Sequence, residues 1–365
     1  MAASRWKRVQ TLARILGGHQ VAPDTETPHV TFFDDPQRTL RRYGTAEQVS
    51  AARASGRPPI LLVPPLAVPA RCYDLGPGQS AVEHLLAAGR IPYVVDFGDV
   101  GQAHRQVGFE TYFDDIVPQA IDRVLTDYSA DEVDVAAWSL GGTVSLLMIA
   151  AHPDLPVRSI TAIGTPLDYP VTPYPLVKRV MQPVGGVPIT GALKVMGGIP
   201  APLVRIAYRA LAADRELKKP LYILRNADDH EALARMQVID RFQNAMPGYA
   251  GKVSLQMWEN FVYRDELASG VVDFDGRIVD LTTIRKPIQL FGSHPRRHRE
   301  LGSRSPRRRT SQRLNRRALP DRRDQSSRPD RRRRRCGTDV AARRRVPRRA
   351  RHTRSAAAQV TSALG

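Results

Sequence analysis

Residues 136–142 read AAWSLGG. Ser139 follows one apolar run, VDVAAW, and precedes another, GTVSLLMIA. A serine hydroxyl turns nucleophilic when a sharp strand–turn–helix junction exposes it and a neighbouring base takes its proton. Such a turn crowds the positions two before and two after the serine, so both must be small. Here they are Ala137 and Gly141, an A-x-S-x-G pattern in which alanine adds one methyl to the commoner G-x-S-x-G. A helix beginning beneath Ser139 would favour developing negative charge. The competing assignment is a serine that caps the helix and satisfies its first N–H groups.

Acyl chemistry at such a serine needs two N–H donors for the tetrahedral oxyanion. One would be Leu140. The other should come from the loop after the first central strand, VPPLAVPARCYDLGPGQS at 63–80. Leu66 is the expected donor, because Pro64 and Pro65 have no N–H and only stiffen the start of the loop. An ordinary proline-rich turn is the alternative for this stretch.

The elements that must carry these residues are legible as alternating short apolar runs and longer helical patterns. PILLVPP (59–65), IPYVVDFG (91–98), EVDVAAW (132–138), RSITAIGTP (158–166) and TIRKPIQLFGS (283–293) read as strands. SAVEHLLAAGR (80–90), residues 111–128 and residues 143–151 read as helices. In 111–128, Tyr112, Ile116, Ala120 and Val124 share one side. This rhythm predicts an α/β architecture, a mostly parallel sheet with helices on both faces. From about Val171 to Val279 prolines and glycines become frequent, which suits an inserted helical cap. The expected organisation is therefore an N-terminal helix with leading strands (1–52), a core (53–170), a cap (171–280), a late core strand (281–293) and a basic tail (294–365).

Charge divides the chain unevenly. The net charge is +19, but from His294 to Gly365 there are 25 arginines, no lysine and 5 acidic residues, so this stretch carries +20 and residues 1–293 carry −1. The tail has no Phe, Tyr, Trp, Ile or Met and is expected to be disordered. Its arginine runs would attract phosphates in a salt-dependent way. No aromatic residue interleaves them for base stacking, so nucleic-acid binding is expected only as a nonspecific property. Only two cysteines occur, Cys72 and Cys336, which argues against a disulfide framework and fits a reducing, cytoplasmic compartment. No signal peptide and no run of about 18 apolar residues are seen. Trp6, Val9, Leu12, Ile15 and Leu16 could face a lipid surface from a short basic helix, or pack on their own domain. Asp228, Asp229, His230 and Glu231 lack a spaced partner for a metal, and neither a metal nor a cofactor is expected.

The loop VPPLAVPARCYDLGPGQS, followed by AAWSLGG, AIGTPLDY (162–169) and DLTTIRKPIQLFGS (280–293), resembles the α/β-hydrolase fold, and within it the polyhydroxyalkanoate synthase-like branch. The resemblance covers about residues 55–293. Domains of this kind also precede an AMP-forming acyl-CoA ligase in some actinobacterial fusion proteins. The resemblance implies a Ser–acid–His order, with the acid after the strand PIQLFGS and the histidine one strand later. Polymerising members carry Cys where this chain has Ser139, and serine suits ester hydrolysis or simple acyl transfer. After Ser293 the sequence reads HPRRHRELGSRSPRRR, with no aspartate in that place. His294 and His298 follow no strand, and His230 falls out of order in the cap. Asp168, at the end of the fourth strand, is the one alternative acid, since some related folds place an acid near there.

These observations predict a serine hydrolase or acyltransferase of lipase or esterase type, acting on acyl esters or thioesters. Ser139 would be its nucleophile, and the chain would be impaired for want of the acid and the histidine. A change of reading frame near residue 293 would explain the arginine-rich tail. The alternatives are the leading domain of a longer acyl-CoA-forming enzyme, and a protein that binds anions or nucleic acid through its tail.

Overall fold

The computed structural model describes residues 25–292, apart from 34, 36, 37, 100, 101 and 170–173. All of these lie in the first of two compact units, Met1–Arg313. The basic helix expected near Trp6, the arginine-rich tail, and His294, His298, His352 and Cys336 fall outside the described residues.

Seven strands form one sheet. They are β1 (His29–Phe33), β2 (Thr39–Tyr43), β3 (Ile60–Val63), β4 (Pro92–Asp96), β5 (Val133–Trp138), β6 (Val157–Ile163) and, late in the chain, Ile288–Phe291. Their order is β1-β2-β4-β3-β5-β6 and then the late strand. The last five in that order are parallel, and β2 runs antiparallel to both its neighbours. The central strands are continuous apolar runs because helices cover both faces: Leu61, Val63, Val133 and Ala137 are fully buried. Between them run α1 (Ala46–Ala54), α2 (Ala81–Ala87), α3 (Val117–Tyr128) and α4 (Leu140–Ala151). Sheet and helices together make the expected α/β architecture, a mostly parallel sheet flanked by helices.

Local chemistry sets the helix ends. Thr45 and Gln48 form a reciprocal capping box at α1, and the Ser80 hydroxyl accepts from the Glu83 N–H at α2. Ahead of α3, residues Thr111–Ile116 form a widened π-helical turn. Pro118, the second residue of α3, has no N–H to return to that turn. Helix α4 is buried all round from Leu140 to Ile149, so it is the central helix. Its internal hydroxyl, Ser145 Oγ, donates to the Gly141 carbonyl at 2.8 Å.

At the amino end of β5 the buried Asp134 carboxylate accepts from Arg90 (2.7 Å), from Arg158 (2.5 and 2.9 Å) and from Ser159 (2.6 Å). Burial works to raise its pKa, but the bonds from Arg158, Ser159 and Arg90 outweigh it, and the carboxyl titrates below the usual range.

The inserted region holds α5 (Tyr174–Met181), α6 (Val187–Met196), β7 (Gly198–Ile199), α7 (Ala201–Leu211), α8 (Ala213–Arg225) and α9 (His230–Asn244). After β8 (Tyr249–Ala250) come α10 (Gly251–Gln256), a π-helical stretch Met257–Tyr263, α11 (Glu266–Ser269), and the hairpin β9 (Val271–Phe274) with β10 (Arg277–Asp280). The late sheet strand Ile288–Phe291 is β11. The hairpin turns on Asp275-Gly276, both at positive φ. This last third packs into the main core. Phe261 lies 4.8 Å from Phe109 between ring centres, and Phe274 lies 5.2 Å from Phe113.

Candidate active site

Strand β5 ends at Trp138 and α4 begins at Leu140, leaving Ser139 alone to make the turn. Its backbone sits at φ 51° and ψ −124°, a sparsely populated region for a residue with a side chain. Two neighbours hold it there. The Ser139 N–H donates to the Ile163 carbonyl at 2.8 Å, and the Ser139 carbonyl accepts from the Gly142 N–H at 2.9 Å. The half-buried side chain makes no capping hydrogen bond to α4.

The small residues around it have visible reasons. A Cβ on Gly141 would stand 2.4 Å from the Val63 carbonyl oxygen and 2.5 Å from that of Pro64. The helix and the end of β3 therefore touch backbone to backbone. A Cβ on Gly142 would meet the Thr165 side chain at 1.9 Å. Ala137 is fully buried, paired with Val63 on one side and Ala162 on the other, and its methyl is accommodated.

The loop after β3 is nearly all interior. Leu66 is 2% exposed, and Ala67, Val68 and Ala70 are buried beside it. Tyr73 donates its hydroxyl to the Val63 carbonyl at 2.8 Å, which folds the loop back onto the strand it leaves. Burial pushes that phenol well above its ordinary pKa, so it stays a donor. Asp74 fixes the far end, accepting from the Thr27 N–H (2.7 Å) and hydroxyl (3.0 Å). The N–H groups of Leu66 and Leu140 donate to no group among the described residues. The cap closes over this loop: Val204, Phe242 and Met246 share one apolar cluster with Ala67, Val68 and Tyr73, and Trp138 packs against it.

The possible partners of Ser139 are scattered. Asp168 lies in the loop after β6, exposed, and forms no hydrogen bond or ion pair among the described residues. His230 is exposed as the first residue of α9, where Asp229 is the cap, accepting from the Ala232 N–H at 2.9 Å. Glu231 pairs with Arg235, and no group of metal-binding side chains occurs among the described residues. Sequence reading missed one histidine–carboxylate pair, His152 Nε2 with Asp114 Oδ1 at 2.7 Å, in which Arg277 also joins Asp114. It lies past the opposite end of α4, thirteen residues or about 20 Å from Ser139. It ties α4 to the π-turn and the β9–β10 hairpin. No signal in the sequence links these residues. No hydrogen bond joins Ser139 to a histidine among the described residues.

The chain is similar to poly(3-hydroxyalkanoate) polymerases. The chain is 26% identical over 263 residues to the poly(3-hydroxyalkanoate) polymerase subunit PhaC of Allochromatium vinosum, covering 72% of each chain. It is 22% identical over 242 residues to PhaC of Haloferax mediterranei, covering 65% of this chain and 48% of that one. The match thus spans most of the first relative and about half of the second. No family model matches. Among solved structures, the Paleococcus ferrophilus monoacylglycerol lipase superposes with a TM-score of 0.37 at 17% identity, over 69% of this chain and 75% of that one. Among the described residues no helix is long and apolar enough to cross a membrane.

Proposed function

We propose that this chain is an acyl hydrolase or acyltransferase of lipase or esterase type, with Ser139 as nucleophile. The observation that carries the reading is Ser139 itself: a strained backbone at a strand–helix turn, with a hydroxyl that leaves the helix uncapped. A serine serving only as a cap would sit in extended backbone and bond to the helix. The free N–H groups of Leu66 and Leu140 would receive the oxyanion, and Pro64 and Pro65 restrict the donors there to Leu66. The apolar cluster shared by loop and cap would shelter the acyl chain of an ester or thioester. Similarity to PhaC supports acyl transfer as the chemistry. Serine in place of the cysteine of polymerising synthases favours water as acceptor over chain growth.

The reading includes slow turnover. No described histidine is bonded to Ser139, and a serine without its base loses roughly 10⁴–10⁶ in rate. A fluorophosphonate probe should label wild-type protein slowly and Ser139→Ala not at all. Hydrolysis of a short p-nitrophenyl ester should stay near background. Labelling that survives Ser139→Ala would refute the nucleophile. Fast hydrolysis abolished by that substitution would refute the impairment. The frame change near residue 293 is tested in the gene: one of the other two frames should carry an aspartate soon after codon 292 and a histidine some tens of codons later.

A further inference from the structure

The cap exposes apolar side chains that its own packing does not use. Helices α6, α7 and α8 each bury one side. Leu193 packs with Trp258, Val204 enters the cluster over the β3 loop, and Ile223 packs with Leu233 and Met236. Each also turns large apolar groups to solvent. Val195 is 86% exposed on α6, Ile206 is 60% exposed on α7 beside Leu203, and Leu217 is 82% exposed on α8, followed at one- and two-turn spacing by Leu221 and Leu224. Isolated exposed leucines need no explanation, but three successive helices with such stripes mark an interaction surface.

The charge of the same segment indicates what covers it. Residues 187–225 hold seven Lys or Arg and two acidic residues, whereas residues 1–293 as a whole carry −1. Among the described residues Lys194 and Arg225 have no ion-pair partner. A second copy on this face would set like charge against like. A phosphate-bearing lipid surface meets both halves of the pattern, since basic residues seek headgroups while Leu, Ile and Val enter the acyl boundary. We propose that the outer face of helices α6–α8 docks in the plane of an anionic phospholipid surface. The inference stands apart from the catalytic reading of Ser139.

The test uses the full chain, hydrogen exchange, and vesicles of phosphatidylcholine with or without phosphatidylglycerol. Because the tail carries +20, binding alone does not report on the cap; the site of protection does. Phosphatidylglycerol vesicles should slow exchange in residues 187–225, and phosphatidylcholine alone should not. Ile206→Glu/Leu217→Glu/Leu221→Glu should lower the cap-protected fraction by about tenfold or more, since each removes an inserted side chain. Lys194→Glu/Arg225→Glu should lower it without touching the apolar stripes. Vesicle binding that leaves residues 187–225 unprotected, protection unaffected by both variants, or protection that rises with protein concentration without lipid would each overturn the proposal.

Discussion

Gly141→Ala should cripple this protein, although it adds one methyl group. The new Cβ would stand 2.4, 2.5 and 2.9 Å from the Val63 oxygen, the Pro64 oxygen and the Pro64 carbon. All three are backbone atoms, so no rotamer change relieves the contacts. The end of β3 must retreat from α4 by several tenths of an ångström. Yet β3 is held in register with β5 through Val63 and Ala137, and its last carbonyl is held by Tyr73. Overpacking of this kind costs about 3 kcal/mol or more, the upper end of its usual range, because the obstruction cannot flex. In a chain of this size that corresponds to a fall in Tm of roughly 6–12 °C. The same movement displaces Leu66 relative to Leu140 and should slow fluorophosphonate labelling of Ser139. Gly191→Ala is the matched control. Gly191 lies in α6 with nothing within 4 Å of the added methyl, and the substitution should stabilise by about 0.5–1 kcal/mol. Thermal denaturation of the two variants beside wild type decides the matter. If Gly141→Ala melts and labels like wild type, the close approach of α4 to β3 is not a feature of the folded protein.

Three further outcomes follow from the same contacts. Ser139→Gly should abolish labelling while raising stability by about 1 kcal/mol, because glycine takes the positive φ without strain; a loss of stability on thermal melting would contradict the strained turn. Tyr73→Phe removes the buried bond to the Val63 carbonyl and should cost about 1–2 kcal/mol in urea unfolding, with no change in the far-ultraviolet circular dichroism of the folded state. Asp134→Asn leaves Arg90 and Arg158 without their carboxylate and should cost about 2–3 kcal/mol near neutral pH, below the full buried-pair penalty because both arginines are partly exposed. The folded-state pKa of Asp134 is depressed, so its contribution is fully present above the ordinary carboxylate pKa of about 3.9 and fades as pH falls below it. Melting curves from neutral pH to pH 3 should therefore show the gap between wild type and Asp134→Asn closing only at the acid end.

How far the sequence can be read depends on where each element finds its partners. Strands β3, β4 and β5 are largely buried runs, and they are evident without knowledge of the rest; β6 and the half-buried edge strand β11 are legible from their apolar composition alone. The turn at Ser139 is legible too, because Ala137 and Gly141 flank it between a strand pattern and a helix pattern. Strand β2 is harder. TLRRY offers two successive arginines, and it becomes a strand because Arg41 finds Asp96 and Arg42 finds Asp127, 55 and 85 residues away. The last third of the insertion hides for a similar reason. Phe261 and Phe274 belong with Phe109 and Phe113 only once the chain has folded back. The π-helical turns at 111–116 and 257–263 share the 3.6-residue apolar rhythm of the helices they join and carry no separate mark.

On the acyl-hydrolase function proposed above, the apolar cluster that joins the cap to the loop after β3 would make gating and selectivity one event. Lifting the cap parts Val204, Phe242 and Met246 from Ala67, Val68 and Tyr73 and wets both sides at once. An open state would then be rare in plain water, and its population would depend on what could replace the parted surfaces. A long hydrocarbon chain would replace them and a short one would not. Discrimination by chain length would then be set at admission, before any atom reaches Ser139. It would weaken in solvents or at low temperatures that make apolar surface easier to hydrate.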